Sequence, residues 1–172
     1  MMTKYYKTEV ANKLNELMNL CFQCNLIADD IAYQLCTVLG EDEVGNLYHH
    51  HIAHFFTGDL AADFMSDVMI QSNIQPKRSA LKDNNETYKS IADAFDANVK
   101  LFEQLREKII VTLDELEMKA ENRQLCVRLE DFLVVVVDML RKSNIMSGKA
   151  NEYETGKDLY QFELWLKDFL KG

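Results

Sequence analysis

The sequence predicts an all-α protein, and three observations support that prediction. Only 6 of the 172 residues are glycine and only 1 is proline. Strands joined by tight turns require more of both residues. Apolar residues make up 48% of the chain and recur every three or four positions, which is the period of an amphipathic helix. The length is that of one domain with a sizeable core, residues 1–172.

The first half of the chain predicts two long helices. The first covers about residues 8–38 and ends near Gly40, because glycine often terminates helices. The second covers about residues 42–72 and ends before Pro76, the only proline. The apolar line of the first helix consists of Val10, Leu14, Leu17, Cys21, Ala28, Ile31 and Leu35.

The second half predicts a third helix over 86–119, a fourth over 124–143 and a short fifth over 157–170. Asn85 is the predicted N-cap of the third helix. The link before that helix is roughly a dozen residues, which is longer than a helical hairpin needs. It is therefore expected to cross the bundle, so that the second and third helices need not be antiparallel neighbours. The pattern predicts a four-helix bundle with a short C-terminal fifth helix.

Composition restricts the partners and the location. The formal net charge is −9, so the overall field does not attract nucleic acid and we expect none to bind. The longest apolar run, residues 132–137, is too short to span a membrane. The N-terminal residues lack the apolar segment of a signal peptide. We therefore expect a cytoplasmic protein that binds no membrane and has reduced cysteines.

Two of the predicted helices are apolar on more than one side. On a wheel of about 100° per residue, Phe55 and Met65 share one face of the second helix, while Phe56 and Leu60 lie on the opposite face. Residues 132–137 of the fourth helix are apolar all round. A helix buried on two sides needs a second packing partner. For a chain of this size we expect that partner to be another subunit of a homo-oligomer.

The second helix also carries the residues best suited to metal chemistry. Histidine and carboxylate are common ligands of iron and zinc. Groups four residues apart lie on one side of a helix. The set comprises all four histidines, His49, His50, His51 and His54, and three aspartates, Asp59, Asp63 and Asp67.

The wheel divides these ligands between two sides of the helix. Asp63 and Asp67 lie beside the second apolar face, so a metal bound there would be shared between subunits. The alternative is a solvated acidic edge, because aspartates are rarely buried unpaired. His50 is expected to be solvated.

His51 and His54 are expected to point toward the core, where Cys21, Glu16 and Glu103 are possible partners. The alternative is that both are core histidines satisfied by hydrogen bonds. Cys21 and Cys24 form a C-x-x-C without a second ligand pair, and we expect them to be buried thiols. Di-iron carboxylate bundles use Glu-x-x-His on two helices, and the chain contains no Glu-x-x-His.

Three segments resemble the ferritin-like superfamily, which includes ferritins and the Dps mini-ferritins. KLNELMNL is similar to the first ferritin helix, NETYKSIADAFDANVKLFEQL to the entry of the third, and LEDFLVVVVDMLRK to the fourth. The resemblance implies a ferritin-like bundle that binds iron. It implies that Cys21 replaces the first-helix glutamate ligand, that His54 and Asp59 lie near the second-helix ligands, and that Glu103 matches the third-helix glutamate.

The second helix is also similar to the iron-binding pair of Dps proteins. DFMSD, from Asp63 to Asp67, resembles their D-x-x-x-E, with aspartate in place of glutamate. The resemblance implies iron held across a subunit interface, with one of the histidines at 49–51 as a further ligand. Two functions follow as hypotheses. The first is an iron-binding or iron-storage protein with an altered ferroxidase site. The second is a non-catalytic bundle that serves assembly or partner binding.

Overall fold

The computed structural model describes residues 6–171, so that residues 1–5 and 172 of the predicted domain lie outside the described residues. Within residues 6–171 every regular element is a helix and there is no strand, so the all-α prediction is confirmed. No helix in this range is long and apolar enough to cross a membrane. The helical elements are α1 (Thr8–Thr37), α2 (Asp42–Tyr48), a π-helical segment (His49–Asp63), α3 (Phe64–Gln71), α4 (Ile91–Glu117), a 3-10 turn (Ala120–Asn122), α5 (Arg123–Thr155) and α6 (Leu159–Lys171).

Three elements, α2, the π-helical segment and α3, form one continuous helix over residues 42–71, the composite helix. Its span matches that of the predicted second helix. It runs antiparallel to α1, since Asn25 bonds to Ala53 while Asp29 contacts His49. α4 is also antiparallel to α1, because Lys108 pairs with Glu16 at 3.1 Å while Glu115 pairs with Lys13 at 2.7 Å. The composite helix and α4 are therefore parallel, and the chain between them must travel the length of the bundle. α5 then returns antiparallel to α4.

Two predicted helix ends were wrong. α4 begins at Ile91 and not near residue 86, because the Ser90 hydroxyl caps it by accepting a hydrogen bond from Asp93 N at 3.0 Å. The Asp93 carboxylate in turn accepts a hydrogen bond from Lys89 N, the residue before the cap, whereas Asn85 caps no helix. α5 continues to Thr155 and not 143. Burial of its extension, at Met146 and Ala150, outweighs the modest helix penalty of the glycine at 148.

Residues 72–90, the strap, run in extended form along α1. Side-chain amides spaced along one face of α1 form hydrogen bonds with the backbone of the strap. Gln23 donates to Lys82 O at 2.8 Å and accepts from Lys82 N at 2.9 Å. Asn19 donates to Lys77 O, and Gln34 accepts from Tyr88 N. These amides satisfy backbone groups that a helix or sheet would otherwise pair, which explains how so long a link stays ordered.

We expect removal of these amides to loosen the strap locally. The triple variant Asn19→Ala, Gln23→Ala, Gln34→Ala should be cut by trypsin after Lys77, Arg78 and Lys82 at least tenfold faster than the wild type, since each lost bond contributes about 1 kcal/mol and a tenfold change needs only about 1.4 kcal/mol. Limited proteolysis with mass spectrometry gives the rates. Asn144→Ala is the control, because the Asn144 amide bonds only to Leu140 O of its own helix. A triple variant cut at the wild-type rate would show that the amides do not hold the strap.

Candidate functional site

The helical wheel misplaced the histidines, because the composite helix is π-helical where they lie. Its i→i+5 hydrogen bonds turn the chain less per residue than an α-helix does, so that each residue is displaced from its predicted face. Phe56, predicted outside, is buried, while Phe55, predicted inside, is half exposed. His54 is exposed and His51 is half-buried. The expectation that both point into the core was therefore wrong.

The π geometry places one histidine against a carboxylate of α1 and a second histidine on the same face. His49 and His54 are five residues apart, so they lie on the same face of the π segment. His49 Nε2 lies 3.4 Å from Asp29 Oδ1, and the His49 ring lies 5.8 Å from that of Tyr33. Partial burial raises the pKa of Asp29, and the charges of His49 and His54 oppose the rise. A helical wheel drawn with the π period would have placed His49 and His54 on one face.

The remaining two histidines, His50 and His51, are neighbours at the end of the bundle. His50 is exposed, as predicted, and its ring meets that of His51 edge-on at 4.9 Å. Burial lowers the pKa of His51, and the nearby His50 and Lys171 lower it further. Lys171 belongs to the last turn of α6, so this pair lies where α6 covers the end of the bundle.

The three aspartates of the composite helix form an exposed row. Asp59, Asp63 and Asp67 all face solvent in the single chain. No ion pair joins any of them to a cation within residues 6–171. This is the geometry of a solvated acidic edge in one chain, and it leaves the row available to a second molecule.

The centre of the bundle is filled by neutral groups. Tyr48 of α2 donates its hydroxyl to Asn98 Oδ1 of α4 at 2.7 Å. The Asn98 amide donates to Ser143 Oγ of α5 at 2.9 Å. All three side chains are buried. They link three helices through one hydrogen-bonded chain, the central polar chain.

The first helix contributes two thiols to the same interior. Cys21 and Cys24 are fully buried and unpaired, which confirms the prediction for this C-x-x-C. Burial raises the pKa of Cys24 to about 12 and that of Cys21 well above its usual value. Burial therefore favours the neutral thiol at both positions.

The interior does not fit the iron that the resemblance implies. The fully buried polar side chains of the described region are hydroxyls and amides, and no carboxylate or imidazole is among them. Glu103, the expected third-helix ligand, is exposed on α4. Nowhere in the described part of the chain do three histidine, cysteine, aspartate or glutamate side chains converge as a metal site. A di-iron centre needs several such ligands around one point.

The site residues predicted from the sequence thus divide into separate places. The structure places His49 against Asp29, keeps Asp59, Asp63 and Asp67 in a row on the solvent side, and leaves Glu103 on another helix. It fills the bundle centre with the central polar chain. No protein-family model matches this chain, and no curated protein matches it either.

Proposed function

We propose that this chain is a ferritin-like bundle that performs no iron oxidation in its interior and acts through its outer surface, by self-assembly or partner binding. The observation that carries the proposal is the chemistry of the interior. Hydroxyl and amide groups occupy the centre, and the central polar chain satisfies their hydrogen bonds within the protein. A satisfied network of this kind specifies packing between helices and offers no anionic ligand to a cation.

The chain path supports the ferritin-like part of the proposal. Ferritin-like bundles join their helix pairs through one long crossover. Here the strap connects the parallel composite helix and α4, and it is the single long connection among the described helices. The short α6 packs Phe162 and Leu166 against the end of the bundle.

Kinetics of ferrous oxidation test the proposal. Purified protein mixed with ferrous iron in air should oxidise it at the rate of buffer alone, because the interior supplies no carboxylate or imidazole to bind the ion. The formation of ferric species is followed by absorbance. A rate several-fold above buffer, proportional to protein concentration, would contradict a non-catalytic bundle.

A second candidate function is iron binding between subunits, and the exposed acidic row favours it. Asp63 and Asp67 lie one turn apart, face solvent and lack a cationic partner in the described chain. Carboxylates from one chain and a histidine of a second copy would complete a ligand set that one chain lacks. If the wild type oxidises iron, Asp63→Ala with Asp67→Ala should abolish the activity. Asp114→Ala, an exposed aspartate of α4, is the matched control.

A further inference from the structure

The outer side of α5 carries a group of exposed valines, the valine face. It comprises Val127 at 50% exposure, Val134 at 70%, Val135 at 39% and Val137 at 43%. Of the four consecutive valines 134–137, Val136 alone is buried. The sequence predicted that residues 132–137 need packing on more than one side, and the single chain packs one side.

Valines on the solvent side of a helix are unfavourable for two reasons. Their β-branched side chains lose rotamer freedom in a helix, which lowers helix propensity. Removal of their apolar surface from water is favourable, by about 25 cal/mol per Å². Neither local propensity nor intrachain packing explains three exposed valines among four consecutive ones, whereas burial against another surface does.

Charges on either side of the valines select the partner. Glu130, Val134, Val137 and Arg141 follow one another at spacings of four, three and four residues, so they lie in one stripe along α5. The stripe reads acid, valine, valine, base. It is complementary to itself when reversed: an antiparallel copy places Glu130 opposite Arg141 and Val134 opposite Val137.

We infer that the valine face binds a second copy of this chain, with the two α5 helices antiparallel about a two-fold axis. The inference deepens the proposed function by naming the surface and the partner for assembly. A parallel arrangement would oppose Glu130 to Glu130 and Arg141 to Arg141, and like charges across an interface are strongly unfavourable. The symmetric antiparallel contact buries valines from both copies and forms two identical ion pairs, as a two-fold interface requires.

The charges nearby are compatible with this arrangement. Arg141 Nη2 lies 3.4 Å from Asp138 Oδ1, and Lys142 Nζ lies 3.1 Å from Asp138 Oδ2. Lys142 therefore continues to neutralise Asp138 when Arg141 turns toward the second copy. Glu130 has no ion pair within residues 6–171, so it is free to accept one.

Light scattering after size-exclusion chromatography tests the apolar part of the contact. Wild-type protein should have at least twice the monomer mass, and Val134→Glu should at least halve the observed mass, because a carboxylate would be buried in the contact. Val111→Glu is the control, since Val111 is also an exposed helical valine, at 48%, but lies on α4. Circular dichroism verifies that both variants are folded. A monomeric wild type, or a Val134→Glu variant with unchanged mass, would overturn the inference.

A charge swap tests the antiparallel register. Glu130→Arg and Arg141→Glu should each weaken the dimer by about tenfold in Kd, because each opposes like charges across the contact. The double variant restores opposite charges and should return to within about threefold of the wild-type Kd. A double variant as weak as the single variants would overturn the register.

The outcomes separate this inference from the proposed function. If the protein is oligomeric but Val134→Glu does not change its mass, the valine face is not the contact, while the proposed function is unaffected. Ferrous oxidation by the protein would contradict the proposed function without altering the mass of any variant.

Discussion

Asn98→Ala is expected to lower the free energy of unfolding by about 3 kcal/mol, the largest single effect that we predict. Asn98 is the middle member of the central polar chain, and its amide bonds to both Tyr48 and Ser143. Removing it leaves two buried hydroxyls without partners and opens a small void. A buried polar group without a partner costs about 1–3 kcal/mol, and the surrounding helices cannot close the void completely.

A graded series makes the Asn98 prediction specific. Tyr48→Phe and Ser143→Ala each remove one end of the chain, so each should cost about 1–1.5 kcal/mol. Urea unfolding followed by circular dichroism gives the three values. We expect Asn98→Ala to lower the free energy of unfolding more than either Tyr48→Phe or Ser143→Ala does. An Asn98→Ala protein within about 0.5 kcal/mol of wild type would mean that the central polar chain contributes little to stability, since that is the usual range for surface substitutions.

Gly45→Ala is expected to destabilise the fold by about 1–3 kcal/mol, the usual cost of overpacking. Gly45 lies where α2 meets the end of α1. A Cβ there would overlap Cys36 Sγ and would lie only 3.0 Å from Ala32 O and 3.1 Å from Cys36 N. Backbone atoms cannot move aside as a flexible side chain does, so the two helices must separate.

Two companion variants test the cause of the Gly45 effect. Gly148→Ala is the control, because a Cβ at this helical position meets nothing within 4 Å. It should stabilise the protein by about 0.5–1 kcal/mol, as alanine favours helix over glycine. Cys36→Ala removes the Sγ and should recover part of the loss when combined with Gly45→Ala. A Gly45→Ala protein as stable as wild type would show that the helices are not held this closely.

Much of the fold was predictable from the sequence because it depends on local patterns. The periodicity placed α1, the composite helix and α6 to within a few residues, and the scarcity of glycine and proline indicated long helices. The start of α4 depended on a choice between two local caps, and Ser90 with Asp93 formed the stronger one. The end of α5 depended on tertiary burial at Met146 and Ala150, which the polar composition and the glycine of residues 143–155 obscured.

The candidate site was less predictable because its helix departs from α geometry. A wheel with the α period set His51 and His54 toward the core, whereas the π segment leaves His54 exposed and His51 half-buried. The composition of residues 49–63 does not predict π geometry. The second difficulty was distance along the chain, since only the packed fold shows that Tyr48, Asn98 and Ser143 meet.

The iron retained per chain tests the central claim most directly, because that claim is that the interior serves packing and not metal chemistry. Protein is loaded with ferrous iron in air, desalted and analysed for metal. We predict that wild type retains no more iron than the Asp63→Ala, Asp67→Ala variant, and less than one ion per chain. Retention of two or more ions per chain by both proteins would contradict the account, since those ions would have to lie away from the acidic row.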